Sequence, residues 1–425
     1  MSDITFAGGT LLLPGRKVAK GDIYVSGGKI AAITTDGKAA VPSSGETVDC
    51  TGMLVMPGLV NCHGHTSMTL LRGIGGGLPL QRWLEEAIFP VEAKMKPEDV
   101  AAGMTWGAME MLAGGTTCVG DMYDFPEACE VALSASGMKG NICRVGLAFA
   151  DDVPPGRLEE CIDYCRGTAA PRIMRDVCIH SEYLTNERFC RNLAAANREL
   201  KRPLNVHVSE TRREHEECIA RHGKTPVAYL ADVGLLDYGA YAAHCVWCTD
   251  DDFRIMKERG VTLVHNPTSN MKLGSGFARI REAVAAGVNV ALGTDGCASN
   301  DNLDMFEEMH LASLIHKGLA GDPTVLSPWD VIEMATVNGA KALGRGDSGE
   351  IAVGKCADLC IADLSRVHLK PTHDVANLVV HSMHSSDVVM TVVDGEIVYD
   401  RGDWRRIDRE AAERDFTAAV GRLFG

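Results

Sequence analysis

Between residues 58 and 345 the chain alternates short apolar runs with longer segments of helical pattern, and it does so eight times. The runs read LVMPGLVNCH, TTCVGDMY, ICRVGLAF, DVCIHSE, PLNVHVSE, AYAAHCV, VTLVHNP and VNVALGTDG. An apolar strand followed by a helix, repeated, predicts parallel strands joined by crossover helices. Eight such units in one domain predict closure into a (β/α)8 TIM barrel. The intervening helices carry end signals. PEDVAAGMTWGAMEMLAGG has Pro97 in its first turn, where a missing N–H is no loss, and stops at Gly114-Gly115. DDDFRIMKERG opens on aspartates and ends at Gly260.

The flanks use a different grammar. Residues 1–57 hold short β-like pieces with glycine turns: ITFAGGTLLL, GDIYVSGGKIAAIT and ETVDCTGMLVMPG. Residues 346–400 repeat it in GEIAVGKCADLCIAD and VVMTVVDGEIVYD. Asp394-Gly395 between alternating apolar residues is a hairpin signal. Two half-sheets too small to stand alone gain by packing together. The expectation is a small β-sandwich domain formed from 1–57 and 346–425, beside a barrel spanning 58–345. IDREAAERDFTAAVGRLFG at the C-terminus predicts an amphipathic surface helix.

Catalytic groups of such barrels sit at the C-terminal ends of the strands. His63 and His65 end the first strand, two residues apart, so both imidazoles face one side. His180 ends the fourth strand, His207 the fifth, His244 the sixth and Asp295 the eighth. His63, His65, His207 and Asp295 offer three imidazoles and one carboxylate. That set suits one divalent cation, Zn2+ first, with Fe2+, Mn2+ or Ni2+ as alternatives. Such an ion lowers the pKa of bound water from about 15.7 towards ~7. Glu210, three residues past His207, is placed to move the proton. His244 can steady the oxygen nucleophile or add a ligand, and Asp295 can orient the water with its second oxygen. His215 and His222 lie in a charged helical segment and read as solvated. His265 fits a supporting role in the barrel as readily as a metal-binding one.

Other chemistries find no motif. Gly75-Gly76-Gly77 lacks the Lys-Ser/Thr of a phosphate loop and reads as a lid beside the site. Cys245-Val-Trp-Cys248 has no second pair and follows a strand, so it reads as packing. The H-x-E…P-C-x-x-C zinc signature is absent. A formal charge of −15 disfavours nucleic acid and anionic lipid as partners. No basic leader precedes an apolar core, and no apolar run is long enough to span a bilayer. Fifteen scattered cysteines suit a reducing cytoplasm, where they pack as buried thiols.

Six segments carry a resemblance: MPGLVNCHGHTSMTLLRG, LPLQRWLEEAIFPVEAKM, HVSET, AAHCVWC, HNPTSNMKLGSG and GTDGCASNDNLDMFEEM. In these the chain resembles the amidohydrolase superfamily, and within it the 5-methylthioadenosine/S-adenosylhomocysteine deaminases, over nearly its whole length. The resemblance implies hydrolysis of an adenine nucleoside at C6, giving the inosine analogue and ammonia. It implies a single metal, because CIHSE presents His180 where two-metal relatives carry a bridging lysine. It assigns Glu92 of PVEAKM to the ribose hydroxyls, Arg157 to the substrate tail, His180 to the base or sugar, and Trp83 to the pocket wall. A homo-oligomer is expected. Departures lie in loops around the substrate: GIGGG before LPL, Glu182 and Arg279 where proline is common, and Arg144 shifted by one position. The same metal site would also serve another heterocycle, such as guanine, a pterin, an oxidised purine or a triazine. A metal-binding protein without catalysis is the alternative from another class, and ammonia release separates the two.

Overall fold

The computed structural model describes residues 3–35, 45–148 and 156–425. Strands are numbered in chain order. The first five are β1 (Ile4–Leu13), β2 (Lys17–Ser26), β3 (Lys29–Thr35), β4 (Glu46–Asp49) and β5 (Met53–Pro57). Eight follow in the middle: β6 (Leu59–Gly64), β7 (Thr116–Met122), β8 (Lys139–Cys143), β9 (Ile173–Ser181), β10 (Leu204–Val208), β11 (Ala240–His244), β12 (Val261–His265) and β13 (Asn289–Leu292). The last are β14 (Leu359–Asp363), β15 (Val388–Val393), β16 (Glu396–Asp400) and β17 (Asp403–Trp404).

Strands β6 to β13 pair with their neighbours in sequence order, every pair parallel. This is the expected eight-stranded barrel with helices outside. The seam between β13 and β6 is bridged by the Asn61 side chain and by one backbone bond. Asn61 donates to Thr294 Oγ1 at 2.7 Å and accepts from Thr294 N at 3.0 Å, and Asp295 N donates to His63 O at 2.9 Å. Two helices end as expected: Pro97–Ala113 gives way to Gly114, and Asp250–Arg259 runs from a Thr249–Asp252 capping box to Gly260 at φ +66°.

Two of the apolar runs differ from expectation. LVMPGLVNCH is not one strand: β5 pairs antiparallel with β14, and the barrel begins at Leu59. Gly58 marks the break, because a Cβ there would stand 2.3 Å from Thr117 Cγ2. The third barrel strand starts earlier than ICRVGLAF. Its first residues are polar yet buried, so apolar patterning passes over them. Lys139 is held by Asp358 and Asp394, each at 2.7 Å, and Asn141 donates to Asp176 at 2.6 Å.

The terminal segments join through the β5–β14 pairing into one mixed sheet of nine strands, in the order β17-β16-β15-β14-β5-β1-β2-β3, with β4 against β1. Phe6, Leu11, Ile23, Val55, Leu359 and Ile361 from both segments share one buried core. Each such side chain contributes about 1.5–3 kcal/mol relative to an exposed one. Asp394 and Gly395 turn at φ +48° and +74°, as a two-residue hairpin requires. The C-terminal helix Arg409–Phe424 packs on the helix Pro97–Ala113, where Phe416 stacks on Trp106 at 4.8 Å and Arg422 Nε reaches Asp99 at 2.8 Å. All fifteen cysteines are unbridged and buried. Among the described residues no helix is long and apolar enough to cross a membrane.

Candidate metal centre and pocket

His63 lies near the end of β6 and His65 directly follows that strand, and His207, one residue from the end of β10, stands beside them. Asp295 follows β13 in a left-handed conformation, φ +63°, which aims its carboxylate back over the barrel mouth. Donor atoms of these four residues all lie within 4.8 Å of one another. His65 Nε2 is 3.2 Å from His207 Nε2, and Asp295 Oδ1 is 3.3 Å from His65 Nε2 and 3.5 Å from His63 Nε2.

The surroundings orient these donors inward. Nδ1 of His65 meets Met122 O at 2.5 Å, and Nδ1 of His207 meets His180 O at 2.7 Å. Each ring therefore donates outward from Nδ1 and keeps its Nε2 lone pair for the centre. Asp295 Oδ2 accepts from Ser269 Oγ at 2.6 Å and Ser299 Oγ at 2.9 Å, which leaves Oδ1 free. His63 is fully buried and neither of its ring nitrogens has a hydrogen-bond partner. Burial pushes its pKa down to about 4, so it is a neutral lone-pair donor. Burial and the adjoining imidazoles push His207 well below its usual value too. Burial alone would raise Asp295, but the nearby His63 ring and the other surrounding imidazoles hold it well below the usual carboxylate range. An orphaned buried nitrogen, three imidazoles and one ionised oxygen fit a single divalent ion of the zinc type.

Glu210 sits just past β10 with its carboxylate at the same centre. Its Oε1 accepts from Ser275 Oγ at 3.1 Å, and its Oε2 lies 3.9 Å from His244 Nε2. The turn beneath is fixed by Glu214, whose two oxygens accept from Ser209 N at 2.8 Å and Glu210 N at 2.7 Å. Burial raises the pKa of Glu210. His244 ends β11 at φ +70°, with Nδ1 2.8 Å from Asn270 Oδ1. Burial lowers its pKa, but the Glu210 and Asp295 charges outweigh this and raise it overall. His265 lies outside this group: its Nε2 meets His316 Nε2 at 3.2 Å, so it supports the barrel interior.

A cavity of about 320 Å3 opens over the centre. Trp83, Glu92 and His180 line it, together with Glu210, His244 and Asp295. Trp83 is buried against the glycine turn, and a Cβ on Gly75 would come within 2.7 Å of its ring, which explains that glycine. Glu92 Oε1 accepts from Tyr123 Oη at 2.7 Å. His180 stacks on His207 with ring centres 4.4 Å apart, and burial pushes its pKa down to about 3. Arg157 is not brought to the cavity. It starts the helix Arg157–Arg166 and lies 3.5 Å from Glu160, outside the lining. Arg144 is likewise turned to Glu127, at 2.5 Å.

Of two histidines expected in solvent, His215 is buried and His222 is partly buried. The helix Arg212–His222 turns Arg212 and Arg213 outward to Glu216 and Glu217, which places His215 and Cys218 inward. His215 Nδ1 then lies 3.1 Å from Ser209 Oγ. His222 stacks on Tyr229 at 4.1 Å and meets Glu182 at 2.8 Å. Glu182 is thereby tied outside the cavity, and Arg279 pairs with Asp250 at 2.7 Å. Ser269, Asn270 and Ser275, which hold Asp295, His244 and Glu210, all come from HNPTSNMKLGSG. That motif was visible in the sequence, but small hydroxyl and amide side chains carry no signal of what they will hold.

The amidohydrolase family model matches residues 54–398. The chain is 43% identical over 367 residues to the 5-methylthioadenosine/S-adenosylhomocysteine deaminase of Acetivibrio thermocellus, covering 85% of each. It is 39% identical over 422 residues to the 5'-deoxyadenosine deaminase of Methanothermobacter thermautotrophicus, covering 98% of each. The crystal structure of a zinc-bound adenosine deaminase from Xanthomonas campestris superposes with a TM-score of 0.92 at 33% identity, over 99% of this chain and 98% of that one. The chain belongs to the amidohydrolase family.

Proposed function

We propose that the chain is a metal-dependent hydrolytic deaminase of adenine nucleosides. The carrying observation is the buried His63–His65–His207–Asp295 set with Glu210 beside it, in a cavity that also presents the Glu92–Tyr123 pair. The relatives named above, by their names deaminases of adenosine-type nucleosides, support the choice of ring.

His63, His65, His207 and Asp295 hold the metal. When bound, a divalent ion there supplies Lewis acidity that makes water nucleophilic near neutral pH. Glu210 takes a proton from water at its carboxylate and delivers it to the ring nitrogen beside C6. A carboxyl whose pKa is raised by burial is suited to carry that proton between two sites. His244, fixed through Nδ1 by Asn270, presents Nε2 to the oxygen that adds at C6. Asp295 keeps its ionised form and accepts a hydrogen bond from the water. The proton of the added C6 hydroxyl then passes to the amino group, the C6–N bond breaks, the amino group leaves as ammonia and C6 becomes a carbonyl. Glu92, with one oxygen fixed by Tyr123, receives the ribose hydroxyls on the other. Trp83 and His180 confine the base.

The test is ammonia release from adenine nucleosides by the zinc-loaded chain, followed by the absorbance change from adenine to hypoxanthine. One ammonia per inosine-type product formed is expected. No release from any adenine nucleoside would overturn the reading.

A further inference from the structure

We propose, building on the deaminase reading, that Trp247 and Glu214 are positioning residues which together fix the carboxylate of Glu210. Neither is among the residues that line the cavity. Glu210 follows Ser209, which stands at φ +48°. A serine keeps that left-handed conformation only where its surroundings over-determine it. Glu214 supplies the hold from inside. It is 3% exposed, and its two oxygens accept from the successive N–H groups of Ser209 and Glu210. Its own N–H donates to Thr211 Oγ1 at 3.2 Å, so the grip is anchored in the first turn of the helix Arg212–His222.

Trp247 supplies the hold from outside. Its backbone N–H donates to Ser209 O at 3.0 Å, and its indole Nε1 donates to Ser275 O at 3.0 Å. Ser275 donates its hydroxyl to Oε1 of Glu210 and its N–H to Asn270 O at 2.9 Å. Gly276 permits this close approach, since a Cβ there would stand 3.1 Å from Val246 Cγ1. One tryptophan therefore joins the turn that carries Glu210 to the hydroxyl that holds its carboxylate. Cys245 and Cys248 of the same motif are buried, whereas Trp247 is 38% exposed. A carboxylate that moves a proton between water and a ring nitrogen must stay within hydrogen-bond reach of both. A displacement of about 1 Å there costs on the order of 100-fold.

The experiment measures kcat, KM and zinc content of the zinc-loaded full chain on adenosine for Trp247→Phe and Glu214→Gln, each alone and in the Glu210→Gln background. Phenylalanine keeps a ring and removes the donor. Glutamine keeps the length but sets an amide donor against one of the two backbone N–H groups. Each should lower kcat roughly tenfold or more, with KM within about threefold and zinc retained. In the Glu210→Gln background neither should lower the residual kcat further, because both act through the carboxylate already removed. Losses that multiply in that background, or a kcat near wild type in Trp247→Phe, would overturn this inference alone. Trp247 is partly exposed, so its variant carries the test even where Glu214→Gln fails to fold. A wild-type chain that releases no ammonia from adenosine or any other adenine nucleoside would overturn the deaminase reading and this inference with it.

Discussion

Ser275 places its hydroxyl 3.1 Å from Oε1 of Glu210, joining the loop after β12 to the turn after β10. This bond fixes one oxygen of the carboxylate and leaves the other towards His244. A hydrogen bond to a charged group is worth about 1.5–3 kcal/mol. Ser275→Ala should therefore lower kcat by roughly tenfold or more with little change in KM or zinc content. Glu210→Gln should keep its zinc and lose about 10²–10⁴ in turnover. Steady-state rates with elemental analysis check both, and normal turnover in Glu210→Gln would refute the proton-transfer role.

Ser269 and Ser299 grip the same oxygen of Asp295, so the metal-facing oxygen owes its direction to them. Replacing both by alanine should weaken zinc affinity by about 10–100-fold, measured by competition with a chelator. His207→Ala and Asp295→Ala should contain less than one zinc per chain. Full occupancy in either would remove that residue from the metal set.

The Tyr123 hydroxyl on Glu92 separates a nucleoside pocket from one for a bare ring such as guanine or a triazine. Tyr123→Phe and Glu92→Gln should each raise KM for a nucleoside by roughly tenfold, the scale of one hydrogen bond to a charged group. Turnover of a free base should be spared. Equal effects on base and nucleoside would show that Glu92 does not hold the ribose.

Glu308 is buried, accepts from Asn300 Nδ2 at 2.6 Å, and has its pKa pushed by burial from 4.5 up to about 8. The folded state holds this proton more tightly than the unfolded chain. Its contribution to stability is complete below about 4.5 and is lost as pH rises through about 8. The melting temperature of the wild type minus that of Glu308→Gln should thus fall between pH 5 and pH 8. Calorimetry at constant ionic strength reads this directly, and a difference independent of pH would refute the assignment.

Much of the centre was legible because barrel strands place chemistry at their C-terminal ends. His63 and His65 share a face by spacing alone, and His207, His244 and Asp295 fall at the same edge. The rest depended on three-dimensional neighbours. His215 was read as solvated from its charged surroundings, yet the helix buries His215 and Cys218 on its inner face, together with Glu214. Arg157 sits in a segment whose direction the sequence does not give, and its helix turns it to Glu160. Ser269, Ser275 and Ser299 become informative only once their partners are known. The start of β8 was missed because Lys139 and Asn141 are polar, and their burial rests on partners far along the chain.

Gly58 is the sole residue between β5 and β6. The outlying sheet therefore acts as a ruler for the chemistry: its pairing of β5 with β14 sets where the next strand begins. Side chains alternate along a strand, so shortening this junction by one residue would swing the His63 imidazole of β6 to the outside of the barrel and displace His65 just beyond the strand end. A sheet set apart from the cavity thus dictates the phase of His63 and the position of His65 after it, and the metal site could be lost with every ligand intact.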